Sequence, residues 1–114
     1  MARNYIIIKE QYNSFIVRFQ RRNIVRSFIA RDLYYELKEL IEQKNILITI
    51  ELNNIQMLGE NDFDSLNMLA RLAKLSNSRI VLNNVSQRMQ ELIDLIKSYT
   101  VFEVDYLKQK TLES

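Results

Sequence analysis

The chain has 114 residues, 47% of them apolar and 26% charged, which is the length and balance of one globular domain rather than a disordered segment. It contains no Cys and no His. That excludes disulfides, thiol nucleophiles, cysteine or histidine metal sites and every Ser-His or Cys-His catalytic system. Catalysis would be left to carboxylates, Lys, Tyr or a bound metal, so a non-enzymatic protein without a cofactor is expected. No apolar run approaches the roughly 20 residues that span a bilayer, and no signal-peptide core follows Met1, so the expected location is cytoplasmic.

The net charge of +2 conceals an uneven distribution. Residues 1–31 hold seven basic side chains against Glu10 alone, for +6, whereas residues 32–66 hold eight acids against Lys38 and Lys44, for −6. The remaining residues carry +2. Such a split either attracts partners of opposite charge at the two ends or is neutralised within the fold.

Taken in order, Tyr5-Ile6-Ile7-Ile8 and Phe15-Ile16-Val17-Arg18-Phe19 are β-branched and aromatic runs. The polar segment Glu10 to Ser14 between them predicts an antiparallel hairpin, with Phe15, Val17 and Phe19 on one side. A basic connector follows from Gln20 to Ser27. Leu33, Leu37, Leu40 and Ile41, preceded by Ile29 and Ala30, then form a helical stripe running to about Gln43. Asp32 and Glu36 sit early in it and Lys44 late, in keeping with the helix dipole. Tyr34 and Tyr35 belong at the margins of the stripe.

Ile46, Ile48, Ile50 and Leu52 alternate with Leu47, Thr49 and Glu51, a strand with one strongly apolar face. Gly59, the only glycine, suits a sharp strand-to-helix reversal. Beyond it Glu60, Asn61 and Asp62 are expected at the surface, with Asn61 as N-cap and Asp64 at the capping-box position. The second helix carries Phe63, Leu66, Leu69, Ala70 and Ala73. Met68, Leu72 and Leu75 widen that stripe, either for a broad contact with neighbouring helices or as an apolar partner-binding surface. Ser76 to Ser78 is a turn cluster, and Arg79 to Asn83 a strand with Ile80 and Leu82 inward. Ser86 caps a third helix bearing Met89, Leu92, Ile93 and Ile96. A last strand, Thr100 to Tyr106, sets Phe102, Val104 and Tyr106 against Val101, Glu103 and Asp105. Residues 1–107 are thus one domain and 108–114 a polar tail.

The element order is β-β-α-β-α-β-α-β. Strands separated by single helices run parallel with right-handed crossovers. Their alternation, unlike the continuous apolar strands of doubly wound sheets, places the helices mainly on one face. The expected fold is therefore an α/β βα superhelix: an N-terminal hairpin followed by βαβαβ, with a mixed, mostly parallel sheet built up sequentially.

This topology and the run Ile46 to Leu69 resemble the STAS domain of bacterial anti-sigma factor antagonists. In that family a strand ends in D-L-S-G-V and is followed by D-S-S-G-L and an apolar helix. Here Glu51-Leu52-Asn53-Asn54-Ile55 stands for the first part and Leu58-Gly59-Glu60-Asn61-Asp62-Phe63 for the second. Ile80 to Ser86 is similar to the family's L-V-L-x-N-V-S, and Leu92 to Phe102 to its L-L-x-x-x-G-L-x-x-x-F, without the glycine. The resemblance implies a protein-docking module in transcription signalling, whose partner is an anti-sigma factor and serine kinase of the histidine-kinase-like ATPase fold. It puts Gly59 at the family's Asp, Glu60 at the first Ser, Asn61 at the phosphoacceptor Ser and Asp62 at the Gly. No hydroxyl remains there, so Asn61 is not phosphorylatable.

The expected partner-binding residues are Gly59, Glu60, Asn61, Asp62, Asp64 and Ser65, a permanently acidic helix start aimed at a basic surface. Ser65 is a conceivable replacement acceptor. The alternative within the same fold is a small cytoplasmic subunit of a lipid-transporting ABC complex. From another class, a Mg²⁺-dependent hydrolase would have to use Glu60, Asp62 and Asp64, which lack the spacing of an EF-hand. The basic connector is a modest patch, and neither nucleic-acid binding nor membrane insertion is expected. A homodimer stays open because of the wide stripe on the second helix.

Overall fold

The computed structural model describes residues 6–20, 28–53, 60–96 and 102–105. The hairpin forms from β1 (Ile6–Gln11) and β2 (Ser14–Phe19), paired antiparallel with Gln11 opposite Ser14. The strands therefore extend further into the polar segment than the composition suggests, leaving a two-residue turn. Its first residue, Tyr12, takes φ 55°, the left-handed geometry that matches a tight hairpin to strand twist.

Next come α1 (Phe28–Glu42), β3 (Leu47–Glu51), α2 (Glu60–Leu75), β4 (Arg79–Asn83), α3 (Gln87–Ile96) and the short β5 (Glu103–Val104). The strand order is β1-β2-β3-β4-β5, with every pair after the hairpin parallel. Sequential addition was the expectation from the one-sided strands, and the sheet has it. Register aligns Phe15 with Ile48, and Ile48 with Ile80. One face is thus a continuous layer of Phe15, Val17, Ile48, Ile50, Ile80 and Leu82, all buried.

Leu33, Leu37 and Ile41 of α1, Leu66 and Leu69 of α2, and Met89 and Ile93 of α3 join that layer in a single core. Each such side chain contributes roughly 1.5–3 kcal/mol by leaving water. α1 also packs along α2, and α2 lies over β4. On the opposite face, the row Ile16, Thr49 and Val81 is half-buried, flanked by the ion pairs Arg18–Glu51 at 2.9 Å and Arg79–Glu103 at 2.6 Å. Arg18–Glu51 joins the basic N-terminal segment to the acidic one, so part of the charge split is neutralised within the sheet.

The ends of α1 differ from expectation. α1 begins at Phe28, which moves Asp32 beyond its first turn and leaves Lys44 past its end; no described first-turn acid or last-turn base complements its dipole. At the C-terminus of α2, Asn77 takes φ 56° while Ser78 N–H donates to the Ala73 carbonyl at 2.8 Å and Asn77 N–H to that of Lys74 at 3.1 Å. This is a Schellman closure with Asn in the place often held by glycine. Ser78, buried, accepts from the Ile46 N–H at 3.1 Å through its hydroxyl and donates to the Gln43 carbonyl at 3.3 Å. It ties the loop before β3 to the loop before β4. Ser86 caps α3 as expected, its Oγ accepting from Met89 N–H at 3.2 Å. The last strand is shorter than the expected Thr100 to Tyr106: Phe102 and Asp105 flank β5 without belonging to it. The basic connector from Arg21 to Ser27, Gly59, Thr100, Val101, Tyr106 and the tail lie outside the described residues.

Candidate functional site

The expected site sits where β3 hands over to α2. Parallel strands end their carboxyl termini on the same edge, and there Leu52 N–H donates to the Asn83 carbonyl at 2.9 Å, holding the ends of β3 and β4 together. The chain re-enters the described residues at Glu60, the first residue of α2. The free N–H groups of that first turn and the positive end of the helix dipole therefore lie at the sheet's carboxyl edge.

Starting the helix at Glu60 changes two assignments. Asn61 falls inside the first turn and is not the N-cap, because the helix begins one residue ahead of it. The third helical residue is then Asp62 rather than Asp64, so Asp62 occupies the position from which a carboxylate can return to the helix start. The expectation that Asp62 lies at the surface is likewise corrected: the residue is 1% exposed and is not unpartnered there. The reason is helical geometry, since Asp62, Leu66, Leu69 and Ala73 form one row at spacings of four, three and four. Read along the chain, Asp62 belongs to an acidic run; read around the helix, it belongs to the inner face.

Asp64 is exposed and Ser65 half-buried. Phe63 is buried and stacks on Phe102 with ring centroids 6.2 Å apart, anchoring the first turn of α2 to the segment that leads into β5. Backbone alone places Glu60 and Asn61 in that first turn, and Gly59 is outside the described residues. Of the six residues expected to meet a partner, the structure thus gathers five on one helical turn and a half, with Asp64 outward and Asp62 inward. No described group of three or more Asp or Glu side chains is placed to hold a metal ion.

Sequence reasoning passed over the amide side chains beside this edge. Asn83 is buried, and its Oδ1, the Asn84 Oδ1 and the Gln90 Oε1 have no hydrogen-bond partner. Buried acceptors without donors are uncommon and costly. The only clue in the sequence is an Asn-Asn pair ending a strand. On the open face of the sheet, the Arg79 guanidinium, hydrogen-bonded to Glu103, holds that carboxyl below its ordinary range despite partial desolvation, with Lys74 adding a smaller pull. Glu103 raises Arg79 in return, chiefly through the same hydrogen bond.

The chain superposes on a solved structure from Thermotoga maritima described as a "putative anti-sigma factor antagonist", with a TM-score of 0.69 over 97% of this chain and 95% of that one. The fold is STAS-like. At 9% identity, the agreement lies in the path of the backbone and not in shared residues. No protein-family model matches the sequence, and no curated protein compared with it does. Among the described residues, no helix of this STAS-like domain is long and apolar enough to cross a membrane.

Proposed function

We propose that this STAS-like domain is a non-catalytic docking module of the anti-sigma factor antagonist type, presenting the start of α2 to a protein partner. The observation that carries the reading is the placement of that helix start at the carboxyl edge of the sheet in a fold shared with a protein described as such an antagonist. Three features support it. The absence of Cys and His removes the usual nucleophile and base systems. Asp64 is exposed on the first turns of α2, suited to a basic surface. The Leu52 N–H bond to the Asn83 carbonyl at 2.9 Å holds together the strand ends that precede α2 and α3.

The partner that fits by resemblance is an anti-sigma factor of the histidine-kinase-like ATPase fold. Recognition then does not depend on phosphorylation at Asn61, which has no hydroxyl; acidity at Glu60 is a fixed property of the site. Asp62, which is buried, is on the inner face and is not a contact for the partner.

The test is calorimetric titration of the protein with a purified anti-sigma factor of that fold. Glu60→Lys abolishes the binding heat while circular dichroism stays unchanged; retained affinity moves the interface away from the helix start. Asn61→Ser, incubated with the same factor and ATP, acquires one phosphate by mass spectrometry if the loop is still presented as a kinase substrate. No interaction by the unmodified protein removes the reading altogether.

A further inference from the structure

The hairpin leaves the sheet with a free edge. Among the described residues β1 pairs with β2 and with no other strand. The residues flanking a two-residue turn face each other as a hydrogen-bonded pair, so Gln11 and Ser14 exchange bonds, as do Lys9 with Ile16 and Ile7 with Arg18. The N–H and C=O groups of Ile6, Ile8 and Glu10 therefore point away from the sheet. Such edges are usually blunted by charge, proline or a bulge. Here Lys9, Glu10 and Gln11, all exposed, blunt the half of β1 next to the turn. Ile6-Ile7-Ile8 has no such protection, and Ile7 is 40% exposed on the open face.

Face and register limit what can pair with that half. A second copy related by a two-fold axis perpendicular to the sheet runs antiparallel and keeps its core face on the same side. Centring the pairing on Ile8 sets Ile7 against Lys9 and Ile6 against Glu10. Centring on Lys9 sets Lys9 against Lys9, and centring on Ile6 keeps a single isoleucine pair. Centring on Ile7 sets Ile7 against Ile7 on the open face and Ile6 against Ile8, twice, on the core face. It also holds the two Lys9 residues about 14 Å apart along the strands. The hydrogen-bond phase agrees. Ile6 and Ile8 are the residues with outward N–H and C=O groups, so the two Ile6–Ile8 pairs exchange four backbone bonds, with Ile7–Ile7 as the non-hydrogen-bonded pair between them. Directly opposed apolar side chains stabilise such a pairing, whereas like charges oppose it. At the other edge β5 has two residues, too few to extend a second copy's β1, so the pairing closes at two copies.

We propose that two copies of the protein join edge to edge through β1, antiparallel about a two-fold axis at Ile7, as one continuous sheet of two five-stranded halves. Four backbone bonds and three isoleucine pairs make a small contact, so the dimer belongs to the weak, concentration-dependent class. This surface goes beyond the docking reading and shares no residue with it.

Sedimentation equilibrium from micromolar to millimolar protein tests the association. The average mass rises from 13.7 kDa toward twice that value and no further. Ile7→Glu, at an exposed position beside Arg18, stays monomeric with unchanged circular dichroism, because two carboxylates would meet on the axis. The chain has no cysteine, so single-cysteine variants report the register. Opposed Cα atoms of a non-hydrogen-bonded antiparallel pair lie about 4.5 Å apart, within disulfide reach. Mild oxidation therefore links Ile7→Cys into a covalent dimer and leaves Lys9→Cys unlinked. A mass fixed at the monomer value up to millimolar protein overturns the proposal, as does one that climbs past the dimer or a dimer that survives Ile7→Glu. Linking of Lys9→Cys as readily as Ile7→Cys overturns the register. Because Ile7 lies outside the docking residues, Ile7→Glu and Glu60→Lys, each assayed for mass and for partner binding, separate loss of the dimer from loss of docking.

Discussion

Leu69 and Met68 are adjacent in the chain and face opposite ways, which makes them a paired test of how α2 sits on the sheet. Leu69 is 0% exposed, in the same inner row as Leu66 and Asp62. Leu69→Ala loses the transfer energy of the removed atoms and leaves a cavity in a packed core, together about 3–5 kcal/mol. Against a total on the order of 5–15 kcal/mol for a domain of this size, that is a third or more of the stability. At about 4 °C per kcal/mol for a chain of this length, Tm falls by roughly 12–20 °C. Met68→Ala removes a side chain that is mostly in water and exchanges it for a slightly better helix former, so its cost stays within about 0.5 kcal/mol. Urea denaturation followed by circular dichroism measures both. Equal losses for the two variants, or a Met68→Ala cost above about 1.5 kcal/mol, would refute the assignment of inner and outer faces on which the docking argument stands.

Ser86→Ala removes the acceptor for Met89 N–H and costs about 1 kcal/mol, whereas Ser86→Asp retains most of the cap; thermal melts of the two variants distinguish a capping role from a packing one. The Arg79–Glu103 pair gives a pH dependence with a definite sign. Glu103 is depressed in the folded state from its ordinary 4.5, so its contribution is complete above that value and disappears as pH falls through the lower folded value. Both partners are largely in water, which limits the contribution to at most about 1 kcal/mol. The stability difference between the protein and Glu103→Gln should accordingly be small at pH 7 and vanish in strong acid; a difference that grows on acidification contradicts the pairing.

Much of the architecture follows from local pattern. Alternation in Phe15–Phe19, Ile46–Leu52 and Arg79–Asn83 gives each strand one buried face, and the single-helix connections then leave sequential parallel addition as the simplest arrangement. Ser86 as a cap is equally legible, because capping needs only one hydroxyl three residues ahead of a backbone N–H. The site was legible in position and not in detail. Its acidic run is plain in the sequence, but helix phase decides which acids face out, and phase depends on where the helix begins. A start at Glu60 makes Asp62 an inner residue and leaves Asp64 outside.

The sequence by itself therefore determined the elements, the inward side of each strand and the absence of cysteine and histidine chemistry, since all of these depend on residue identity or on spacings of two to four. Only the tertiary structure decided that Met68 and Leu75 are exposed and Leu72 partly so, since their spacing suits a helix–helix contact as well as an outer surface. Whether such a stripe is covered depends on where another helix lies, and that is fixed by the sheet order and the packing of α1 along α2, not by anything within the stripe.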